Sequence, residues 1–342
     1  MEIKKKLLKQ ASLEKLVHQL NLAGKEICAP VNDHDKVNFG RISSLEEMAA
    51  DYIVTEQSAK YAAFPRIETL FEIETSRDKV SLKEKNPEAI PEVVLLGTRP
   101  CDAAGFIPLW GIFGEDQKDT IFLARLNKLT IISFSCSKSD SKCFCTSLKL
   151  DPGGTKGSDI LLTRFEKDSY LAEIITEKGQ AVVDKYSDLF EAAPDVEKEK
   201  YVVKVPVEFD LDELTSKIFS LFESDIWFEQ SMRCLGCGTC AYICPTCACF
   251  DIQDVYNVET GQRNRNWDSC GFSLFTLHAS GHNPRGTQTQ RWRQRVLHKF
   301  AYMLKNQNVL GCVGCGRCSR LCPADMNLQE HLISLHSEIK NG

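Results

Sequence analysis

The chain has 342 residues, 43% apolar and 26% charged, with a formal net charge of −5. That length accommodates two domains, the composition is that of a soluble globular protein, and the acidic balance gives no general nucleic-acid footprint. No apolar run approaches the roughly 20 residues of a membrane span. The basic start, Met1-Glu-Ile-Lys-Lys-Lys6, is not followed by the apolar core and small-residue cleavage site of an export signal, so the expected location is the cytoplasm. The compositional outlier is sixteen cysteines.

In chain order, residues 1 to about 75 read as mostly helical. Leu7, Leu8, Ala11, Leu13, Leu16, Val17 and Leu20 follow helical spacing. Ser44-Leu-Glu-Glu47 is a capping-box signal that predicts a helix through Met48, Ala49, Tyr52 and Ile53. From Val93 the texture changes. Val93–Leu96, Thr130–Phe134, Asp159–Thr163 and Tyr170–Ile174 read as strands with turn residues between them, and the first two run straight into Cys101 and Cys136. Residues 184 to about 200 are polar and acid-rich, a surface connection between domains. Tyr201–Val207 reads as a last strand, Leu211–Phe228 as an amphipathic helix, and Gln290–Leu304 as a helix carrying Trp292, Val296, Leu297, Phe300 and Ala301. The expected fold class is α+β. A mixed α/β module over 1–205 is followed by an α-helical two-cluster domain of ferredoxin type over 206–342.

Two stretches carry the chemistry. Cys234-Leu-Gly-Cys237-Gly-Thr-Cys240-Ala-Tyr-Ile-Cys244-Pro245 and Cys312-Val-Gly-Cys315-Gly-Arg-Cys318-Ser-Arg-Leu-Cys322-Pro323 begin 78 positions apart, at 234 and 312. Both read C-x2-C-x2-C-x3-C-P, the bacterial ferredoxin run for [4Fe–4S] clusters. Three thiolates wrap one cubane, the glycines let the backbone approach the sulfurs, and in two-cluster proteins the fourth Cys ligates the other cluster. The assignment is therefore crossed: Cys234, Cys237, Cys240 and Cys322 for the first, and Cys312, Cys315, Cys318 and Cys244 for the second. Zinc needs only four tetrahedral ligands, commonly two Cys-x-x-Cys hooks, so two full runs favour iron and sulfur.

Eight cysteines remain. Cys136, Cys143 and Cys145 lie within ten residues, with Cys101 at the end of a neighbouring predicted strand. These four thiols suit either a third [4Fe–4S] cluster or a tetrahedral zinc site, and the spacing does not choose. Cys247, Cys249 and Cys270 are spare ligands, a redox pair or packing around the cubanes, with packing favoured because both cubanes are already fully ligated. Cys28 is a lone buried thiol. His278 and His282 are four apart, but Gly281 and Pro284 place them in a loop. Arg285, Arg291, Arg293, Arg295 and Lys299 form a basic stretch whose default is a solvated helix face. There is no G-x-G-x-x-G after a strand, no P-loop and no H-E-x-x-H. The expectation is an electron-transfer subunit with no flavin or nucleotide of its own and no catalytic residue.

Several stretches resemble the iron–sulfur beta subunit of soluble, sulfhydrogenase-type [NiFe]-hydrogenases and the related A subunit of anaerobic sulfite reductase. They are Gly97-Thr-Arg-Pro-Cys101-Asp102, Cys143-Phe-Cys145, Arg233–Cys240, Cys244-Pro-Thr-Cys-Ala-Cys-Phe250, Trp267-Asp-Ser-Cys270, Gly281-His282, Arg295–Phe300 and Cys312–Cys318. They span about residues 93–325. The resemblance implies a third [4Fe–4S] cluster on Cys101, Cys136, Cys143 and Cys145. It also implies a relay between an FAD- and NAD(P)-binding subunit and a catalytic subunit, of [NiFe]-hydrogenase type by preference or of siroheme sulfite-reductase type. The alternative is a sulfite or sulfur reductase subunit whose N-terminal cluster is itself redox-active toward substrate, and a third reading has zinc stapling the N-terminal module.

Overall fold

A computed structural model of the chain describes residues 3 to 341 except Asp116. Its strands, in chain order, are β1 (Lys4–Lys9), β2 (Glu26–Asp33), β3 (Lys36–Arg41), β4 (Ile67–Ser76), β5 (Lys79–Glu84), β6 (Val93–Thr98), β7 (Leu129–Phe134), β8 (Ile160–Glu166), β9 (Ser169–Ile174), β10 (Phe190–Ala192), β11 (Phe250–Tyr256) and β12 (Thr260–Trp267). They form an eight-stranded sheet, ordered β10-β1-β9-β8-β7-β6-β2-β3, and a four-stranded sheet, ordered β11-β12-β4-β5. In the first, β2, β6, β7 and β8 are mutually parallel neighbours, and antiparallel strands flank them.

The parallel centre is covered on both faces, as such sheets require. Helix α1 (Gln10–Leu22) lays Leu13, Leu16, Val17 and Leu20 over Val94, Leu96, Ile132 and Leu162. The opposite face, read by alternate residues such as Leu95 and Ile131, packs on Phe106 and Leu109 from α3 (Phe106–Phe113), which follows the short α2 (Pro100–Ala104), and on Phe122 from α4 (Thr120–Asn127). Helix α5 (Glu177–Lys185) adds Val182 and Val183 to the α1 side.

The N-terminal 75 residues are not mostly helical. Leu7 and Leu8 belong to β1, helix α1 starts only at Gln10, and three more strands follow. The Ser44–Glu47 capping box forms, but its helix is a single 3-10 turn at Leu45–Glu47. The reason is tertiary: the Tyr52 hydroxyl donates to the Gly97 carbonyl at 2.5 Å, which holds the segment extended over the end of β6. The stretch 201–207 forms no strand, its Val203 N–H donating instead to the Cys136 carbonyl at 2.8 Å, and part of the acid-rich connection, Phe190–Ala192, pairs with β1 as an edge strand.

After residue 205 the chain is largely helical: α6 (Leu211–Lys217), α7 (Ile226–Ser231), α8 (Thr239–Tyr242), α9 (Gln288–Leu297), α10 (Met303–Gln307), α11 (Arg317–Arg320) and α12 (Leu328–Asn341). The single expected helix at 211–228 is therefore broken around a 3-10 turn. The stretch predicted helical at 290–304 is continuous, but passes through a π turn at His298–Tyr302. Trp227, Trp292, Val296, Phe300, Leu332 and Leu335 form the core of this region. The hairpin β11–β12 departs from it and pairs with β4, so strands from the two halves of the chain share one sheet. At that junction Glu68 is fully buried, 2.6 Å from Arg125 and 2.6 Å from Arg265.

Candidate iron–sulfur sites

The two ferredoxin runs fold into near-copies of one loop. Gly236 and Gly238 take φ of +65° and +76°, and Gly314 and Gly316 take +64° and +73°. Left-handed backbone at those four points curls the first three cysteines of each run around a common centre. Each loop then enters a short helix, α8 or α11.

The thiols gather around three cavities. The first is lined by Cys234, Cys237, Cys240, Cys318 and Cys322. Cys244, Cys312, Cys315 and Cys318 line the second. The third is lined by Cys101, Cys136, Cys143, Cys145 and Cys315. Each expected set of four thus meets at one cavity, and the last Cys of each run joins the other run's loop. Neighbouring cavities share a lining cysteine, Cys318 between the first and second and Cys315 between the second and third. The three therefore form a row.

The N-terminal thiols reach this row because strands β6 and β7 end beside it. Arg99, between β6 and Cys101, donates Nε to the Ile53 carbonyl at 3.0 Å and Nη1 to the Ser135 carbonyl at 3.2 Å. It lies 4.1 Å from the Tyr52 ring centroid. The loop carrying Cys143 and Cys145 is pressed onto the second ferredoxin loop. The Phe144 N–H donates to the Gly314 carbonyl at 3.0 Å, and a Cβ on Gly314 would stand only 2.5 Å from the Cys145 nitrogen. Arg320 grips Asp140 with Nε at 2.7 Å and Nη2 at 2.6 Å, and that Nη2 is also 3.0 Å from Cys143 Sγ.

The electrostatics suit anionic sulfur. Lys299 Nζ points at Cys244 Sγ (3.4 Å), the Thr246 hydroxyl (2.9 Å) and the Gly311 carbonyl (2.7 Å). Arg295 donates to the Cys240 carbonyl at 2.8 Å and reaches Cys247 Sγ at 3.5 Å, and Gln288 Nε2 donates to Cys234 Sγ at 3.0 Å. Arg295 and Lys299 are 4% and 3% exposed. This corrects the expectation of a solvated basic face for these two residues: buried thiols hold the positive charge that water would otherwise solvate. Burial pushes the Cys136, Cys240 and Cys312 thiols up to about 11 and Cys145 up to about 12, and raises Cys101, Cys315 and Cys318 as well. Such thiols ionise only against a bound cation, and a coordinated metal deprotonates a thiol outright. Four soft sulfur donors per cavity, backed by N–H donors, fit iron–sulfur clusters.

Of the remaining cysteines, Cys247 is buried and within 3.5 Å of Arg295 Nη1, and Cys249 and Cys270 are half-buried. Cys249 and Cys270 flank the β11–β12 hairpin, whose ladder continues through the Asp268 N–H to the Cys249 carbonyl at 3.0 Å. Lys60, 3% exposed, donates to the Cys247 and Ala241 carbonyls and sits 4.0 Å from the Trp267 ring centroid. Burial, as the first cause, lowers its amine to about 8. Cys28 is buried in β2, away from the cavities, and His278 and His282 occupy an exposed loop. Lys60, Gln288, Arg317 and Arg320 were not singled out from the sequence. A signal existed for Arg295 and Lys299: they fall on the same stripe as Trp292, Val296 and Phe300, where a charge has to meet a buried partner.

Comparison with known proteins agrees with this chemistry. The family model for the 4Fe-4S dicluster domain matches residues 233–326. The chain is 28% identical over 328 residues to the sulfhydrogenase 2 subunit beta of Pyrococcus furiosus, covering 92% of each chain. No solved structure matches. Among the described residues no helix is long and apolar enough to cross a membrane.

Proposed function

We propose that this chain, which is similar to a sulfhydrogenase beta subunit and matches the 4Fe-4S dicluster domain over residues 233–326, is the middle of an electron relay. It takes electrons from an FAD- and NAD(P)-binding subunit and passes them to a catalytic subunit of [NiFe]-hydrogenase type, or carries them in reverse. Cys234, Cys237, Cys240 and Cys322 hold one [4Fe–4S] cluster, Cys312, Cys315, Cys318 and Cys244 a second, and Cys101, Cys136, Cys143 and Cys145 a third. Such clusters supply one-electron redox chemistry. The protein's own part is to fix their spacing and to set their potentials through Lys299, Arg320, Gln288 and burial. The observation that carries the reading is the row of three thiol-lined cavities with a shared cysteine at each junction.

The test is anaerobic native purification of the tagged chain, with the iron content measured and its companions identified by mass and spectrum. About 12 irons per chain, at four per cluster, together with a flavoprotein and a nickel subunit, is the expected result. A siroheme companion would move the chain to sulfite reduction, and about 8 irons with zinc would replace the third cluster by a staple.

A second reading is favoured by one feature. A cavity of about 800 Å³, lined by Tyr52, Arg99, Phe134, Ser135, Lys138 and Tyr170, opens beside Cys136. Its size is that of a small-molecule site, so a sulfur compound reduced at the N-terminal cluster has room to bind. Turnover of sulfite or polysulfide by the isolated chain is the discriminating assay.

A further inference from the structure

Cys237 is exposed, whereas the other cysteines are buried or half-buried. Large apolar side chains near it in the chain, and on the segment packed against its loop, are exposed among the described residues. Phe228 and Met232, one helical turn apart at the end of α7, are 59% and 71% exposed; Leu235, inside the cluster loop, is 71% exposed; Leu274 is 71% and Leu277 46% exposed. The 269–288 segment, which carries Leu274 and Leu277, lies directly on the loop that carries Leu235. A Cβ on Gly238 would strike the Phe272 ring at 2.5 Å, and one on Gly236 would stand 3.1 Å from Gln288 Oε1 and 3.4 Å from the Gly271 carbonyl.

On the side of the 269–288 segment the rim is cationic, whereas α7 contributes exposed Asp225 and Glu229 beside Phe228 and Met232. No Asp or Glu occurs between Asp268 and Asp325, although the whole chain is net negative. Arg285 and Arg291 come from that acid-free stretch, with Arg291 donating to the Arg285 carbonyl at 3.0 Å, and exposed Arg233 lies between Met232 and Cys234. Exposed apolar surface rimmed by polar groups marks an interaction site. An apolar centre of large side chains belongs to permanent rather than transient contacts, and charges around such a centre select a partner of opposite sign.

We propose that the Cys237 face is the docking surface of a permanently bound redox subunit, one that presents an apolar centre with Asp and Glu where it meets Arg233, Arg285 and Arg291, and carries its own one-electron centre near that surface. The proposal rests on the relay reading and adds which end of the row meets a partner. The first cavity is one of the two ends of the row, its lining Cys237 is exposed, and docking there sets the partner's centre beside it.

The test is co-purification of the tagged chain from its native host, comparing wild type with Met232→Glu/Leu274→Glu, with Arg233→Glu/Arg285→Glu, and with Val80→Glu/Leu82→Glu. The last pair is exposed on β5, remote from the cysteine loops in the fold. Iron content and the EPR signal of the reduced chain are read alongside subunit composition on a sizing column. The expected result is about a tenfold or greater loss of one redox subunit with the first pair. The second pair should lose the same subunit at lower salt than wild type, and the β5 pair should retain it, with iron unchanged throughout. Retention of every redox subunit by the Met232/Leu274 variant overturns the docking face while leaving the relay intact. Loss only with the β5 pair does the same, as does a face that engages only a diffusible acidic carrier. A wild-type chain that brings down no redox subunit overturns both readings.

Discussion

Arg317 and Asp102 form an ion pair at 2.9 Å with each side chain 1% exposed, joining the helix after the second ferredoxin loop to the helix after β6. Arg317 also donates Nε to the Thr55 carbonyl at 2.7 Å and Nη2 to the Thr55 hydroxyl at 2.9 Å. Removing one member of a buried pair strands the other charge, which costs about 3–5 kcal/mol. Arg317→Met should therefore lower the urea midpoint by that equivalent. It should also loosen the contact between Cys101 and Cys315, read as loss of iron from the N-terminal set before the rest.

Cys143→Ser and Cys237→Ser separate the sites. If each cavity holds its own cubane, each variant should lose about four irons per chain and leave the EPR features of the other two. Loss of no iron from Cys143→Ser, with zinc found instead, would count for the staple.

Lys299→Gln withdraws a buried cation from Cys244 Sγ. Positive charge favours the reduced, more negative cluster, so the variant should shift one midpoint potential downward by on the order of tens of millivolts. Redox titration followed by EPR checks it, with the other midpoints as internal controls.

Gly314→Ala meets two obstacles at once. The position has φ of +64°, and the new Cβ would collide with the Phe144–Cys145 backbone at 2.5–2.6 Å. Gly281 has φ of +82° with nothing within 4 Å of its Cβ position. Gly281→Ala should cost only about 1–2 kcal/mol, the strain of a left-handed residue. Gly314→Ala should cost clearly more and release iron, because the two cysteine loops have to separate.

The sequence runs were legible because a cubane imposes its ligand spacing locally, so Cys234–Cys244 and Cys312–Cys322 announce themselves within eleven residues each. The strands Val93–Thr98 and Leu129–Phe134 were legible for a related reason: burial on both faces leaves an unbroken apolar run. Long-range partners were not. The Ser44 capping box is real, yet Tyr52 is drawn to Gly97 and the helix stops. The β11–β12 hairpin is hard to read because its pairing partner, β4, lies nearly two hundred residues earlier. Arg295 and Lys299 lie on the apolar stripe of Trp292, Val296 and Phe300, so their burial was legible, but the thiols they face come from distant loops.

His331 gives a pH dependence. It is 8% exposed, with its ring edge-on to Trp292 at 5.0 Å, and burial first, then the Arg233 charge, pushes its imidazole down to about 4. A group with a lowered folded value contributes stability above its unfolded value, near 6.5, that is lost as the pH falls toward 4. The urea midpoint of wild type should drop across that window more steeply than that of His331→Gln, with iron content followed in parallel to separate acid loss of clusters.

The hairpin that crosses from the ferredoxin half into the β4–β5 sheet has a consequence for synthesis. A chain emerging from the ribosome makes β4 early, and the strand that covers its free edge, β12, arrives only at residue 260. Until then β4 presents unpaired backbone groups, a template for association with other chains. Nascent or truncated forms ending before Trp267 are therefore the species most in need of chaperone protection.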